Sequence, residues 1–268
     1  MCDVENIILE TRELRKEFGA LVAVANVSLK VRENSLHSII GPNGAGKTTF
    51  FNLLSGNLEP TSGKVIYRGK DITHLPLYKS AHIGIGRSFQ ITNIFPNLTV
   101  IENVRLASQA LGSDNFRFLT PSAKFTRYEA RARQVIQQVG LEERTLAMAR
   151  TLPHGDQRKL ELAMILAPDP DLLLLDEPTA GMAAEQVPEL MQLIQQIQAA
   201  GNKTVMLVEH NMNVVMSVSD FITVMHMGEV LAEGTPAEIS ANQAVQSAYL
   251  GGLYGSLDQL LGDKGDTP

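Results

Sequence analysis

The segment Gly41-Pro42-Asn43-Gly44-Ala45-Gly46-Lys47-Thr48-Thr49 constrains this chain more than any other feature. It fits the pattern G-x-x-x-x-G-K-[ST]. The apolar run Ser38-Ile39-Ile40 leads into it, and Thr49 to Leu54 continues from it with helical character. A strand that turns through glycines into a helix makes a cradle for anions. The glycines let the backbone wrap closely, so its N–H groups point inward. The helix N-terminus adds the positive end of its dipole. In that geometry Lys47 reaches the β- and γ-phosphates of a nucleotide, and the Thr48 hydroxyl reaches Mg2+. A chance glycine turn carrying a lysine would not be expected between a strand and a helix, and is the poorer reading.

A second signal lies far along the chain. Leu172 to Leu175 is a run of four leucines, followed by Asp176-Glu177. So short and apolar a run predicts a strand covered on both faces, as in a parallel sheet. Carboxylates at the carboxyl end of such a strand face the ligand crevice. Asp176 is then placed to hold Mg2+, through water, and Glu177 to polarise an attacking water as general base. Taken alone, the pair is as well explained by a solvated acidic turn before Pro178; beside a phosphate loop the functional reading gains. Val187, Leu190, Leu193, Ile194 and Ile197 recur at helical spacing with Gly201 as a stop, and Thr204 to Val208 reads as another buried strand. Strand, helix and strand in that order predict a crossover unit.

Composition narrows the rest. The chain has 268 residues, 44% of them hydrophobic, enough for a sizeable core. Acidic residues outnumber basic ones, 29 against 23, for a net charge of −6, so no overall footprint for nucleic acid or anionic lipid is expected. A single cysteine, Cys2, permits no intrachain disulfide and suits a reducing compartment. The first residues carry acids and lack a basic head before an apolar core, so no secretory signal is expected. No stretch approaches the roughly 18–20 apolar residues of a membrane span, so any membrane role runs through a partner.

The first 35 residues and Lys64 to Tyr67 read as antiparallel strands, and Arg87 to Leu166 reads as mostly helical, broken at Gly112-Ser113-Asp114-Asn115 and Pro121-Ser122. The expected architecture is therefore α/β. A P-loop NTPase core with an N-terminal antiparallel β subdomain spans 1–86 and 167–268, and an α-helical subdomain spans 87–166.

Further motifs occur in a fixed order. Gln90 stands within Gly86-Arg87-Ser88-Phe89-Gln90, then come Leu152-Pro153-His154-Gly155-Asp156-Gln157-Arg158, Leu172 to Glu177, and His210 after Val208-Glu209. With the phosphate loop they resemble the ATP-binding cassette (ABC) ATPases over nearly the whole chain. By residue type alone Phe18 reads as core and His210 as structural. The resemblance implies instead that Phe18 stacks on adenine and that His210 orients the γ-phosphate and water. It implies that Gln90 senses the γ-phosphate and Mg2+, and that Pro153, His154, Gly155 and Asp156 hold the ATP of a second cassette in a head-to-tail dimer. It also implies integral-membrane permease subunits, an indirectly engaged substrate-binding protein, no nucleic acid, and a place at the cytoplasmic face of the inner membrane. The segment Ile91 to Leu98, with Phe95, is expected to line the groove that receives a permease helix.

Two positions depart from the family pattern. Pro153 stands where a serine is usual, which removes a side-chain contact to γ-phosphate of roughly 1 kcal/mol. Proline suits the first position of a helix, so the backbone donors of Gly155 and Asp156 are expected to suffice, with His154 as a further donor. Ala183 stands where many relatives carry an aspartate. The form L-P-x-G-D-Q-R, the long helical insert and the ending Ala248-Tyr249-Leu250-Gly251 resemble the cassettes of branched-chain and hydrophobic amino-acid importers. Urea or short-amide importers and soluble ABC ATPases are the alternatives, the last disfavoured by a single cassette without sustained heptads.

Overall fold

In a computed structural model of the chain, the structure describes residues 6–88, 94–112, 126–201 and 203–250. The expected breaks at 113–115 and 121–122, Gln90, and Ile91 to Asn93 lie outside these residues.

β1 (Ile7–Phe18) and β2 (Leu21–Arg32) form an antiparallel hairpin that turns through Gly19. The fully buried β3 (Leu36–Ile40) then runs into the phosphate loop and α1 (Lys47–Leu54). β4 (Ser62–Tyr67) returns to pair with β1, and β5 (Lys70–Asp71) closes that sheet in the order β2-β1-β4-β5. After the short α2 (Leu77–Ser80), β6 (Ile85–Arg87) pairs in parallel with a later strand, so Arg87 belongs to the core sheet and not to the helical region where the sequence boundary put it. Three-residue strands give too little apolar pattern to be read from sequence.

The helical region carries α3 (Val100–Gln109), α4 (Thr126–Gln138) and α5 (His154–Leu166). β7 (Leu172–Asp176), α6 (Val187–Gly201) and β8 (Thr204–Val208) follow, and β7 and β8 are parallel neighbours, as the crossover pattern predicts. α7 (Met212–Val218), β9 (Phe221–His226), β10 (Glu229–Gly234), α8 (Pro236–Ala241) and α9 (Gln243–Leu250) complete the chain. The second sheet runs β10-β9-β3-β8-β7-β6, with only β10 antiparallel to its neighbour among the described strands.

The four leucines of β7 show why the sheet is covered twice. Side chains alternate across a strand. Leu173 and Leu175 pack with Val205, Leu207 and the α6 residues Leu190, Ile194 and Ile197, in a core that continues into the helical region through Val100, Ile136 and Leu160. Leu172 and Leu174 face the other way, with Met206, Ile39, Phe50 and Phe51 of α1, and Leu9 and Val24 of the antiparallel sheet. Each such leucine contributes about 1.5–3 kcal/mol by burial. α1 is thus clamped between the two sheets, and the loop before it has little freedom.

The helical region has its own polar anchor. Asn103 is fully buried; its Oδ1 accepts from Phe95 N at 2.7 Å and its Nδ2 donates to Phe95 O at 3.1 Å and Thr99 O at 2.9 Å. Thr99 and Glu102 form a capping box at the start of α3. Replacing Asn103 with Ala leaves several of these buried groups unmatched. The Asn103→Ala chain is expected to lose about 2–4 kcal/mol of stability in urea denaturation, since each orphaned group costs about 1–3 kcal/mol; an unchanged midpoint would contradict the anchoring role.

Candidate functional site

The phosphate loop is shaped by contacts that admit no side chain at two of its glycines. Gly41 has φ +156°, and a Cβ there would lie 2.2 Å from the Met225 carbonyl oxygen. Gly46 has φ +94°, and a Cβ there would lie 2.3 Å from the Ala23 carbonyl oxygen. Gly46 also caps α1, so the first N–H groups of that helix keep no intrahelical acceptor and face the loop's concavity. Ala45 N donates to Pro42 O at 3.2 Å and Gly228 N donates to Ala45 O at 3.1 Å, which closes the turn. Asn43 and Gly44 form the exposed rim.

Lys47 folds back over this loop, donating from Nζ to Gly41 O at 2.7 Å and to Pro42 O at 3.0 Å. Burial pushes its ammonium below the usual lysine value, while the carboxylates of Glu177 and Asp176 work against that shift. Thr48 is exposed at the mouth and Thr49 is half-buried. The two threonines and Lys47 line a cavity of about 330 Å³, together with Leu21 to Ala23, Asn43 to Gly46, Glu177 and His210.

Asp176 ends β7 with both carboxylate oxygens buried and without a hydrogen-bond partner among the described residues. Burial raises its pKa, Arg87 opposes that, and Glu177 adds to it. Buried carboxylate oxygens without a hydrogen-bond partner among the described residues, facing the Lys47 ammonium, are the donor chemistry of a hard divalent cation. No group of three or more His, Cys, Asp or Glu among the described residues could hold a metal alone. A cation here therefore needs phosphate oxygens as well, as Mg2+ sites commonly do.

Glu177 sits in the left-handed region, φ 50°, uncommon for a residue with a side chain. Glu177 N donates to Val208 O at 2.9 Å and Ala180 N donates to Glu177 O at 3.0 Å, which hold the turn. Its Oε1 lies 2.6 Å from Nε2 of His210, at the end of β8. The parallel ladder, which pairs Asp176 with Val208, brings these two distant positions together.

Other expected residues are placed elsewhere. Phe18 ends β1, 47% exposed, with Lys16 Nζ 5.2 Å from its ring centroid, and it stands outside the cavity lining, where its cross-strand neighbour Leu21 is found. Pro153, His154, Gly155 and Asp156 also lie outside that lining. Pro153 is the N-cap of α5 with extended ψ 154°, not its first helical residue; the helix begins at His154. The preceding turn at Ala149–Thr151 ends in extended Leu152, which shifts the helix start by one. His154 is exposed and Gly155 is buried beneath Gln186, so three N–H groups, those of His154, Gly155 and Asp156, open the helix. Phe95 is 50% exposed, and an apolar groove of about 290 Å³ lined by Leu77, Ile85, Ala107, Met164 and Ile165 does not include it.

Several supporting residues had no expected role. Ser88 Oγ accepts from Asp176 N at 2.9 Å, and Arg87 donates to Asn52 Oδ1 at 2.6 Å and to Ser55, tying β6 to the far end of α1. Arg158 donates to Ala180 O at 2.9 Å, joining α5 to the loop after Glu177. Tyr249 packs on the cluster that contains Ile40 and hydrogen-bonds the Gly41 backbone; burial pushes its phenol well up. Arg87, Ser88 and Arg158 stood within the motifs without a role of their own, and Tyr249 stood in a motif of unknown use.

The electrostatics of Asp176 give a signed prediction. A carboxylate raised on folding favours the protonated native state, so stability falls as pH rises from the ordinary aspartate value through the raised one. At pH 7 the nucleotide-free Asp176→Asn chain is expected to melt above the parent, while losing the stabilisation that Mg2+ with ATP gives the parent. A lower midpoint in the nucleotide-free variant would contradict the unmatched charge.

Comparison with known proteins accords with this geometry. The ABC transporter family matches residues 24–180. A family described as branched-chain amino acid ATP-binding cassette transporter matches residues 229–253. The chain is 42% identical over 249 residues to LivG of Salmonella typhimurium, a high-affinity branched-chain amino acid transport ATP-binding protein, covering 91% of this chain and 98% of LivG. It is also 42% identical over 249 residues to BraF of Pseudomonas aeruginosa, of the same description, with 91% and 98% covered. A crystal structure of a nucleotide-free ATP-binding cassette from an ABC transporter superposes with TM-score 0.80 at 26% identity, covering 91% of this chain and 98% of that one. The chain belongs to the ABC transporter family, as an ATP-binding cassette that hydrolyses ATP.

Proposed function

We propose that this chain is the ATPase of a membrane importer for branched-chain or neutral hydrophobic amino acids. The observation that carries the mechanism is the meeting of Lys47, Glu177 and His210 around one cavity at the mouth of the phosphate loop. The cargo rests on likeness to LivG and BraF, since the cassette itself carries no amino-acid site in this reading.

ATP enters with its phosphates against the loop. Backbone N–H groups from Gly44 to Thr49 receive the phosphate oxygens, and Lys47 leaves the carbonyls of Gly41 and Pro42 for the β- and γ-phosphates. Thr48 and Asp176 would hold Mg2+, with Gln90 joining them. Bound there, the cation neutralises charge that develops on the transferred phosphoryl group. Glu177 takes the proton of the attacking water, and His210 holds the Glu177 carboxylate and the γ-phosphate in register. Phe18 stacks on adenine, from its place beside the Gly19 turn of the β1–β2 hairpin.

The open N-terminus of α5 has no ligand within its own chain in this reading. A second cassette, of the same or another kind, supplies the ATP that it caps: the N–H groups of His154, Gly155 and Asp156 meet the γ-phosphate from across the interface, and Pro153 forgoes a side-chain contact. ATP then closes two halves and hydrolysis releases them. No described helix is long and apolar enough to cross a membrane, so permease subunits at the cytoplasmic face carry the pathway, and a substrate-binding protein acts through them.

Two experiments test this reading. Glu177→Gln is expected to lower ATP turnover at least about a hundredfold, the lower range for a lost general base, and to leave uptake of labelled leucine unrestored in a deletion strain; near-parental turnover would remove Glu177 from the base role. Phe95→Glu is expected to abolish uptake while the purified chain keeps its basal ATPase, and intact uptake would remove Phe95 from the permease contact.

A further inference from the structure

Glu209 is 4% exposed, and backbone and hydroxyl donors rather than a basic side chain face its oxygens. Its Oε1 accepts from Thr179 N at 3.0 Å and from Thr179 Oγ1 at 2.7 Å. Its Oε2 accepts from His210 N at 3.2 Å. Burying a carboxylate is costly unless donors surround it, and these donors offset that cost. One carboxylate therefore joins two loops. Thr179 follows Glu177 by two residues, and His210 is the next residue along from Glu209.

The position of this bridge matters. The β7–β8 ladder ends at the pair Asp176 and Val208. Beyond that rung, the described residues that link the two loops are Glu177 N to Val208 O at 2.9 Å, the Glu209 bridge, and the Glu177–His210 contact itself. Glu177 and His210 are both partly open to solvent, with side chains 25% and 46% exposed, so packing does not fix them. We propose that Glu209 is a positioning residue for catalysis: by tying Thr179 to the His210 backbone it sets the separation of the Glu177 carboxylate and the His210 ring. The proposal rests on the reading of Glu177 as base with His210 as its partner. Glu209 stands outside the lining of the phosphate-loop cavity and acts only through those two.

A glutamine keeps the shape of Glu209 but has one acceptor oxygen and turns an N–H group toward a donor. The bridge then fails on one side. Misplacement of reacting groups by a fraction of an ångström to an ångström costs catalysis and not ground-state binding. Purified parent, Glu209→Gln, Thr179→Val and the double variant would be compared for steady-state ATP hydrolysis. Glu209→Gln is expected to lower kcat by about tenfold to a hundredfold with KM for ATP changed by less than about twofold. Thr179→Val, which removes one of the donors, is expected to give a smaller loss of kcat at constant KM. The double variant is expected to be no slower than Glu209→Gln, because both changes cut one bridge.

Parental kcat in Glu209→Gln, even with a lowered melting midpoint, would overturn the proposal and make the bridge merely structural. Multiplying losses in the double variant would also overturn it. If Glu209→Gln fails to fold, Thr179→Val decides: reduced kcat at constant KM supports the bridge, and parental kcat overturns it. Glu177→Gln in the same assay separates the two levels. A slow Glu177→Gln beside a normal Glu209→Gln overturns the positioning role alone, whereas a normal Glu177→Gln removes the pair to be positioned and overturns both.

Discussion

The two sheets of this protein are pinned to each other at the phosphate loop, by backbone contacts too close for any side chain. Gly41 abuts the Met225 carbonyl of β9 and Gly46 abuts the Ala23 carbonyl of β2. Ala25 N donates to Gly228 O at 2.8 Å, and Gly228 N donates in turn to Ala45 O, so β2, the β9–β10 turn and the loop form one knot. Behind it, Phe50 and Phe51 of α1 fill the space between the sheets. A loop held this way is preorganised: little entropy remains to be lost when an anion binds. The remaining site is arranged around that fixed point, since β3 leads into it and β8 and β7 stand next in order.

Charge around the loop is set out to receive an anion and a cation together. Lys47 donates to carbonyls of the loop, and Asp176 holds two buried oxygens without a hydrogen-bond partner among the described residues. A triphosphate with its cation answers both, giving the ammonium an anion and the carboxylate a cation. In the helical region, α5 opens with N–H donors and an acidic Asp156, outside the lining of the phosphate-loop cavity. In the proposed dimer the loop of one chain and the α5 terminus of the other complete a single site, and turnover is tied to association.

Much of this was legible in the sequence, and the rest was not for physical reasons. The phosphate loop, the four leucines with Asp176-Glu177, and the β7-α6-β8 unit each pair a strong hydrophobic period with a special residue, and the strand and helix positions follow. The strands β9 and β10 and the helices α8 and α9 were not named, although Asp220, Gly228-Glu229 and Glu233-Gly234 frame the strands; none of these residues belongs to a phosphate or cation motif. Arg87 looked helical because a three-residue strand has no measurable period. Pro153 was read one position too far into its helix; proline suits the first helical position, but the extended backbone from Leu152 leaves it as the cap. Glu209 and Ser88 were silent because a buried polar side chain that serves backbone donors has no sequence period. Phe18 and Leu21 show a finer limit: the hairpin was expected, but which of its two end residues would line the cavity depends on register.

The central claim is that one chain's phosphate loop and another chain's α5 terminus make the working site. The most direct measurement is an ATP-dependent cross-link. Cysteines placed at Asn43 and His154, with Cys2 replaced by serine, would be exposed to mild oxidation with ATP in a Glu177→Gln background that preserves the nucleotide. The account predicts a disulfide-linked dimer of twice the chain mass with ATP and little with ADP or without nucleotide. A cross-link indifferent to ATP would contradict it, as would monomer alone under every condition if the parent chain, purified by itself, turns over ATP.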